Sequence, residues 1–457
     1  MKNQCADKRF QWKYIYYAMS VLSLLLIVWV KQQALETNLP PLKPFTRLVI
    51  NFIYLNLAVS FYTLVRKPEK SCIPPATWII FAGIGALLCT MLPVFSGDLM
   101  EYLARGRILG VYHLSPYSHT PSEFPGDLFF PYTTWKNNPD SYGPLNVLME
   151  ALPAVIFKNS VAGAVWFEKM ILMAFMALGI FFFVKLMKQS GLPARADLTA
   201  LFALNPLLLV STLIDGHNDT AMMSLTIASA YFLLQKRYTR SFALWTLAFL
   251  IKYTVLLVLP FWIAAAVKEE WKTHQRFPWF FILREAAVNG LIIFAAFAPL
   301  WGGRGTFLAL IRASEWFYTN TLPYAFRQGF LLVGWDMAPV FFKFGALSAF
   351  FVIYLILLWR FWTKEEFDSG KFFRTICVMY LCFYVTITIP FGIHYLLWAL
   401  PWLVLSRWPL ERFLITLYSF TGLFSYFKRM NYLILAASAV YLAVLAVSQK
   451  KSGETSS

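Results

Sequence analysis

Charge is scarce in this 457-residue chain: only 14% of it is Asp, Glu, Lys or Arg, against roughly a quarter in an ordinary soluble domain. With 59% of residues hydrophobic, and many apolar runs near or above the ~20 residues that cross a bilayer core, a soluble globular domain is excluded. Cysteine is sparse too. Of the 5 cysteines, Cys5 and Cys72 fall in segments expected in the cytoplasm, and Cys89, Cys377 and Cys382 in apolar runs. No C-x-x-C spacing exists, so neither a disulfide framework nor a zinc site is expected. No G-x-G-x-x-G follows a strand, which excludes a Rossmann-type nucleotide site. No D-x-D stands in the expected outer loops, so neither metal nor cofactor is expected. A small-residue cleavage site is missing after the first apolar run, Tyr14 to Val30, so that run is expected to stay as the first span. No fixed-period repeat occurs and the two halves differ, against the internal repeats of many transporters.

What charge there is has a pattern. The net charge of +17 gathers in short basic loops at 66–70, 185–195, 236–240 and 268–276, as cytoplasmic loops require. A membrane explains the basicity, and no nucleic-acid partner is expected. The fold expected is all-α: a polytopic membrane protein of about 12–14 transmembrane helices with both termini inside. Residues 1–76 would hold two spans, and 77–301 a central module with an external loop at 96–143. Residues 302–457 would hold a second external loop, Gly302 to Gln328, and the C-terminal spans. Within the module, Asn146 to Phe157 is too short to cross and reads as an interfacial helix. Single spans are expected near 161–184, 198–213 and 219–235. Ser241 to Val267 reads as a hairpin of two short helices with Lys252 near its outer turn.

The longest polar interruption is Ser96 to Gly143. It is too aromatic for a disordered tether and reads as a folded extracytoplasmic cap of juxtamembrane helices. Three groups in or beside it are candidates for chemistry. Asp98, Glu101 and Arg105 share one face of a helix that Ser96 would cap and Gly110 would end; a solvated charged face is the plain alternative. Asp215, Gly216, His217, Asn218 and Asp219 join two apolar helices. They are either a helix cap or an anion site at a helix N-terminus. Lys252 lies inside an apolar run, where a charge costs about 2.5–3.5 kcal/mol on insertion scales and normally faces a partner or cavity. Snorkelling to the interface is its alternative.

In order, the chain shows an acid after an early span, a helix with arginines and Ser115-Pro116-Tyr117. Then come Tyr142-Gly143-Pro144-Leu145, Asn205-Pro206-Leu207, Gly216-His217-Asn218-Asp219 and a lysine in a run ending Leu259-Pro260. This order resembles the GT-C superfamily of glycosyltransferases, particularly bacterial alpha-mannosyltransferases that use polyprenyl-phosphate mannose. The resemblance covers about residues 77–301. It departs at Ser115, where relatives often carry Asn, and at Tyr253, where they carry Pro.

The resemblance implies a GT-C-like topology in the plasma membrane. It also implies transfer of a single sugar, mannose first among the options, from a polyprenyl-phosphate donor to an envelope glycan or glycolipid on the outer face. Asp98 would be the general base and Glu101 its reserve. Lys252 would balance the leaving phosphate, with His217, Asn218, Asp219, Arg105, Arg107 and Tyr142 binding the donor, and the anomeric centre would invert. Partners would be the lipid-linked donor, the acceptor and membrane lipids. A lipid-linked sugar transporter or flippase, or a polysaccharide polymerase, is the competing class. A transporter would gather its charges near the bilayer midplane rather than at one face.

Overall fold

The computed structural model describes residues 75–307 apart from 91, 94–95 and 193–195, and beyond them 321–335, 338–363, 367–386, 391–406, 413–415, 417–419 and 436–444. The first two expected spans and the C-terminal tail lie outside the described residues. Among those described, every regular element is helical. Three helical stretches are long and apolar enough to cross a membrane: Val161–Gln189, Trp279–Leu300 and Lys343–Thr363. The protein is an all-helical membrane protein.

Two compact units divide the chain, one drawn from Met1–Leu257 and Pro278–Ile311, the other from Val258–Phe277 and Arg312–Ser457. In the first, α1 is Pro75–Cys89, α2 Asp98–Gly110, α3 Pro144–Ile156 and α4 Val161–Gln189. They are followed by α5 Ala196–Ala203, α6 Pro206–Leu209, α7 Asp219–Leu234 and α8 Tyr238–Phe249. The next helix, α9 Leu259–His274, belongs to the second unit, while α10 Trp279–Phe297 returns to the first.

Close helix crossings explain several small residues. A Cβ on Gly106 would sit 2.2 Å from the Glu150 carbonyl oxygen, and one on Gly110 2.9 Å from that of Ala151. Helices α2 and α3 therefore meet backbone to backbone, as small residues permit. Gly179 plays the same part between α4 and α7, where a Cβ would come 2.4 Å from Ser224 Oγ. Helix α3 carries Pro153 inside it and is 13 residues long, about 20 Å at 1.5 Å per residue and short of the ~30 Å hydrocarbon core.

The segment between α2 and α3 is ordered by its own polar side chains. Asp127 accepts from Arg107 Nε at 2.7 Å, from the Tyr112 hydroxyl at 2.8 Å and from Phe129 N at 2.8 Å. Phe129 is fully buried beside Leu99, Tyr102 and Leu103 of α2; truncating such a ring costs about 3–5 kcal/mol. At the far end of the segment, Gly143 N donates to Ile251 O at 3.1 Å and Leu145 N to Leu250 O at 2.9 Å. The Tyr142 carbonyl accepts from the hydroxyls of Tyr117 and Tyr253. Gly143 is needed here, because a Cβ would lie 2.2 Å from Leu250 O, and Pro144 at the first helical position starts α3.

Gly143→Ala should therefore cost about 1–3 kcal/mol through overpacking. Gly126→Ala, in open space, should stay within about 0.5 kcal/mol of wild type. Thermal unfolding of the two purified variants makes the comparison, and equal midpoints would contradict the contact.

Two expectations change on contact with the structure. The single span near 198–213 is broken: Asn205 takes an extended backbone, its side chain accepts from Leu207 N, and Pro206 restarts the helix. The continuation, Val210–Ile214, is wound as a π-helix, a form that recurs at functional sites. The expected loop Gly302 to Gln328 also contains helix, since α11 runs Leu322–Leu332 behind a Thr321 cap. In the second unit, α9 packs with α12 Ala338–Thr363, α13 Ser369–Thr386 and α14 Leu400–Leu405. Their core is aromatic: Trp262 lies 5.1 Å from Phe372 and 6.0 Å from Trp402 between ring centroids.

Candidate functional site

Four segments of the first unit converge on one buried polar cluster. The N-terminus of α2 brings Asp98, whose backbone N–H donates to Ser96 Oγ at 3.2 Å; Gly97 rather than Ser96 is the capping residue. The turn between the π-helix and α7 brings His217, Asn218 and Asp219. It depends on Gly216, which has φ 72°, a left-handed conformation open to glycine. A Cβ there would also press to 2.8 Å from Leu99 Cδ2, so α2 sits directly against this turn. His217 N closes the turn onto Ser211 O at 2.8 Å. The break after α8 brings Lys252, and α3 brings Asn146.

The side chains form a connected set. Lys252 Nζ is 2.7 Å from Asp219 Oδ1 and 3.4 Å from Asn218 Oδ1. Asn218 Nδ2 donates to Asn146 Oδ1 at 3.0 Å. His217 Nδ1 lies 3.5 Å from Asp98 Oδ2. Tyr142 stands beside the lysine, its ring centroid 5.4 Å from Nζ, and its hydroxyl is 3.2 Å from that of Tyr102. His217, Asn218, Asp219 and Asn146 are buried, and Lys252 is 7% exposed. The Asp98 side chain is part-open, at 36%. The arrangement sets a cation, a reachable carboxylate and an imidazole together at the ends of apolar helices. That set offers anion binding beside a proton acceptor.

Not every expected residue joins it. Glu101 Oε1 accepts from Thr134 N at 2.5 Å, Thr134 Oγ1 at 2.9 Å and Trp135 N at 2.9 Å. Its other oxygen faces Arg105 at 3.7 Å. Arg105 Nε in turn reaches Asn138 O at 3.4 Å. Arg107 donates to Asp127 and, at 2.7 Å, to Lys158 O. These three side chains tie down the α2–α3 segment, and the partners of Arg107 are all outside the cluster. Asn146 and Tyr102 were not among the residues expected in the site. The available sign was Asn146 and Glu150 at i, i+4, a polar pair on one face of an otherwise apolar helix.

A family profile described as alpha-(1->6)-mannopyranosyltransferase, N-terminal domain, matches residues 20–268, more than half of the chain. The protein belongs to that family. Every residue of the cluster falls inside the matched region. Among curated proteins, alpha-(1->6)-mannopyranosyltransferase A of Mycobacterium tuberculosis is 28% identical over 229 residues, covering 50% of this chain and 44% of the relative. The protein of the same name from Corynebacterium glutamicum is 25% identical over 229 residues, covering 46% of each. The chain thus spans less than half the length of these relatives. No solved structure matches it.

Proposed function

We propose that this protein transfers a single mannose from a polyprenyl-phosphate donor to an envelope glycan or glycolipid, on the outer face of the plasma membrane. The observation that carries the reading is the buried Lys252–Asp219 pair at the Gly216–Asp219 turn, with the half-open Asp98 carboxylate beside His217. Family membership supports mannose as the sugar. In the reaction, the acceptor hydroxyl oxygen attacks the anomeric carbon and the bond from that carbon to the phosphate oxygen breaks. The electron pair leaves with the phosphate, and the hydroxyl proton goes to Asp98. Lys252 stabilises the charge that grows on the leaving phosphate, an electrostatic contribution worth most in a water-poor site. One attack from the face opposite the phosphate inverts the anomeric centre.

The purified protein in lipid vesicles, given radiolabelled polyprenyl-phosphate mannose and envelope glycolipids, should move label to the acceptor without nucleotide sugar. Movement of intact donor across the bilayer with no transfer would support a transporter instead. Joining of preformed oligosaccharides would support a polymerase. Sidedness is tested separately, by cysteine substitution at Ser122 and Gln189, both exposed, in cells. An impermeant reagent should label only the first, and the reverse pattern would put the site on the inner face.

A further inference from the structure

Behind the cluster, two carboxylic acids lie together. Asp140, from the end of the α2–α3 segment, and Glu150, from α3, are each 0% exposed and within hydrogen-bonding reach of one another. Asp140 Oδ1 accepts from Tyr142 N at 2.8 Å, and Glu150 Oε1 accepts from Asn146 Nδ2. The second oxygens, Asp140 Oδ2 and Glu150 Oε2, have no donor among the described residues. Two ionised carboxylates in buried contact repel each other, whereas one shared proton satisfies both free oxygens.

We propose that Glu150 is a positioning residue that works as a neutral acid: it donates through Oε2 to Asp140, accepts from Asn146 through Oε1, and thereby sets the amide chain that faces Lys252. The direction of that chain follows from elementary amide chemistry, since each amide has one donor end and one acceptor end. Asn146 spends its NH2 on Glu150, so its oxygen faces out and accepts from Asn218 Nδ2 at 3.0 Å. Asn218 is then left with its oxygen toward Lys252 Nζ, at 3.4 Å. A reversed Asn218 would aim its own N–H groups at the ammonium. The charged neighbours agree. Burial and the Asp140 charge raise the Glu150 carboxyl well above the usual carboxylate range, with Glu168 of α4 adding to them and Arg105 of α2 opposing. Arg105 is shared with Glu101, so its charge is divided among several carboxyls.

The proposal rests on the mannosyl-transfer reading only for its kinetic test. Glu150→Gln keeps an acceptor for Asn146 and a donor for Asp140, so donor KM and turnover should stay within about twofold of wild type. Glu150→Leu keeps the size and loses both bonds, and should raise the KM for radiolabelled polyprenyl-phosphate mannose about tenfold. Should that variant not insert, Asn146→Leu cuts the same chain one step later and should raise KM alike. A Gln variant as impaired as the Leu variant, or a folded Leu variant with wild-type KM, overturns the proposal. Infrared difference spectra of the purified proteins at neutral pH give a readout independent of activity. The C=O stretch of a protonated carboxyl should vanish in Glu150→Gln. A band that survives there but vanishes in Asp140→Asn puts the proton on Asp140 and overturns the assignment. A wild-type protein with the Glu150 band and no mannosyl transfer would refute the proposed reaction while supporting the neutral acid.

Discussion

Asp98→Asn should lose about 10²–10⁴-fold in turnover, the usual worth of general-base catalysis, while inserting and folding as wild type does. The reason lies in what each nearby acid is already doing. Asp98 is 36% exposed on its side chain and lies 3.5 Å from His217, so its carboxylate can be reached by an incoming hydroxyl. Glu101 is committed, with one oxygen taking three donors from Thr134 and Trp135. Glu101→Gln should accordingly act through stability, lowering the unfolding midpoint with a smaller effect on turnover at a temperature where the variant is folded. Initial-rate kinetics on both variants, alongside circular dichroism, separate the two roles. An Asp98→Asn protein with wild-type turnover would remove Asp98 as the base. A folded Glu101→Gln protein without turnover would transfer the role there.

Lys252→Met carries the second large effect, and it is two effects at once. Removing the ammonium takes from Asp219, which is 0% exposed, its cation at 2.7 Å, and breaking such a buried pair costs about 3–5 kcal/mol. Removing it also takes away the cation proposed for the phosphate, worth roughly 10²–10³-fold in rate by analogy with other preorganised electrostatic groups. The double variant Lys252→Met with Asp219→Asn separates them, because it restores neutrality without restoring the cation. Stability should return most of the way and transfer should not. If the double variant recovered activity along with stability, Lys252 would be a structural partner of Asp219 and nothing more.

Much of the helical order was legible in the apolar runs. The α4 helix starts at the expected Val161, and α7 covers nearly the whole expected run, because long unbroken hydrophobic stretches leave one solution in lipid. The meeting of Lys252 with Asn218 and Asp219 was foreshadowed by its cost: a lone lysine in an apolar run needs a partner. The break at Asn205-Pro206 was harder, since the flanking residues are as apolar as any span and only the Asn205 cap and Pro206 mark it. The pairings of Arg105 and Arg107 were not legible at all. Both arginines sit on α2, but their partners come from two other segments, Asn138 and Asp127 between α2 and α3 and Lys158 between α3 and α4, whose paths are set by tertiary contacts. Helical periodicity places side chains on a face and says nothing about a distant carboxylate brought against it.

The ion pair of Lys252 with Asp219 also bears on how the protein lets go. A sugar phosphodiester carries a single negative charge, whereas the polyprenyl phosphate that the proposed transfer would leave carries about −1.5 to −2 at neutral pH. A solitary buried lysine would hold that product more tightly than the substrate, and turnover would stall on release. With Asp219 at 2.7 Å, the extra charge on the product meets a fixed anion as well as a cation. On the proposed reaction, Asp219 cancels part of the lysine's charge, so the spent phosphate is held less tightly than a solitary lysine would hold it.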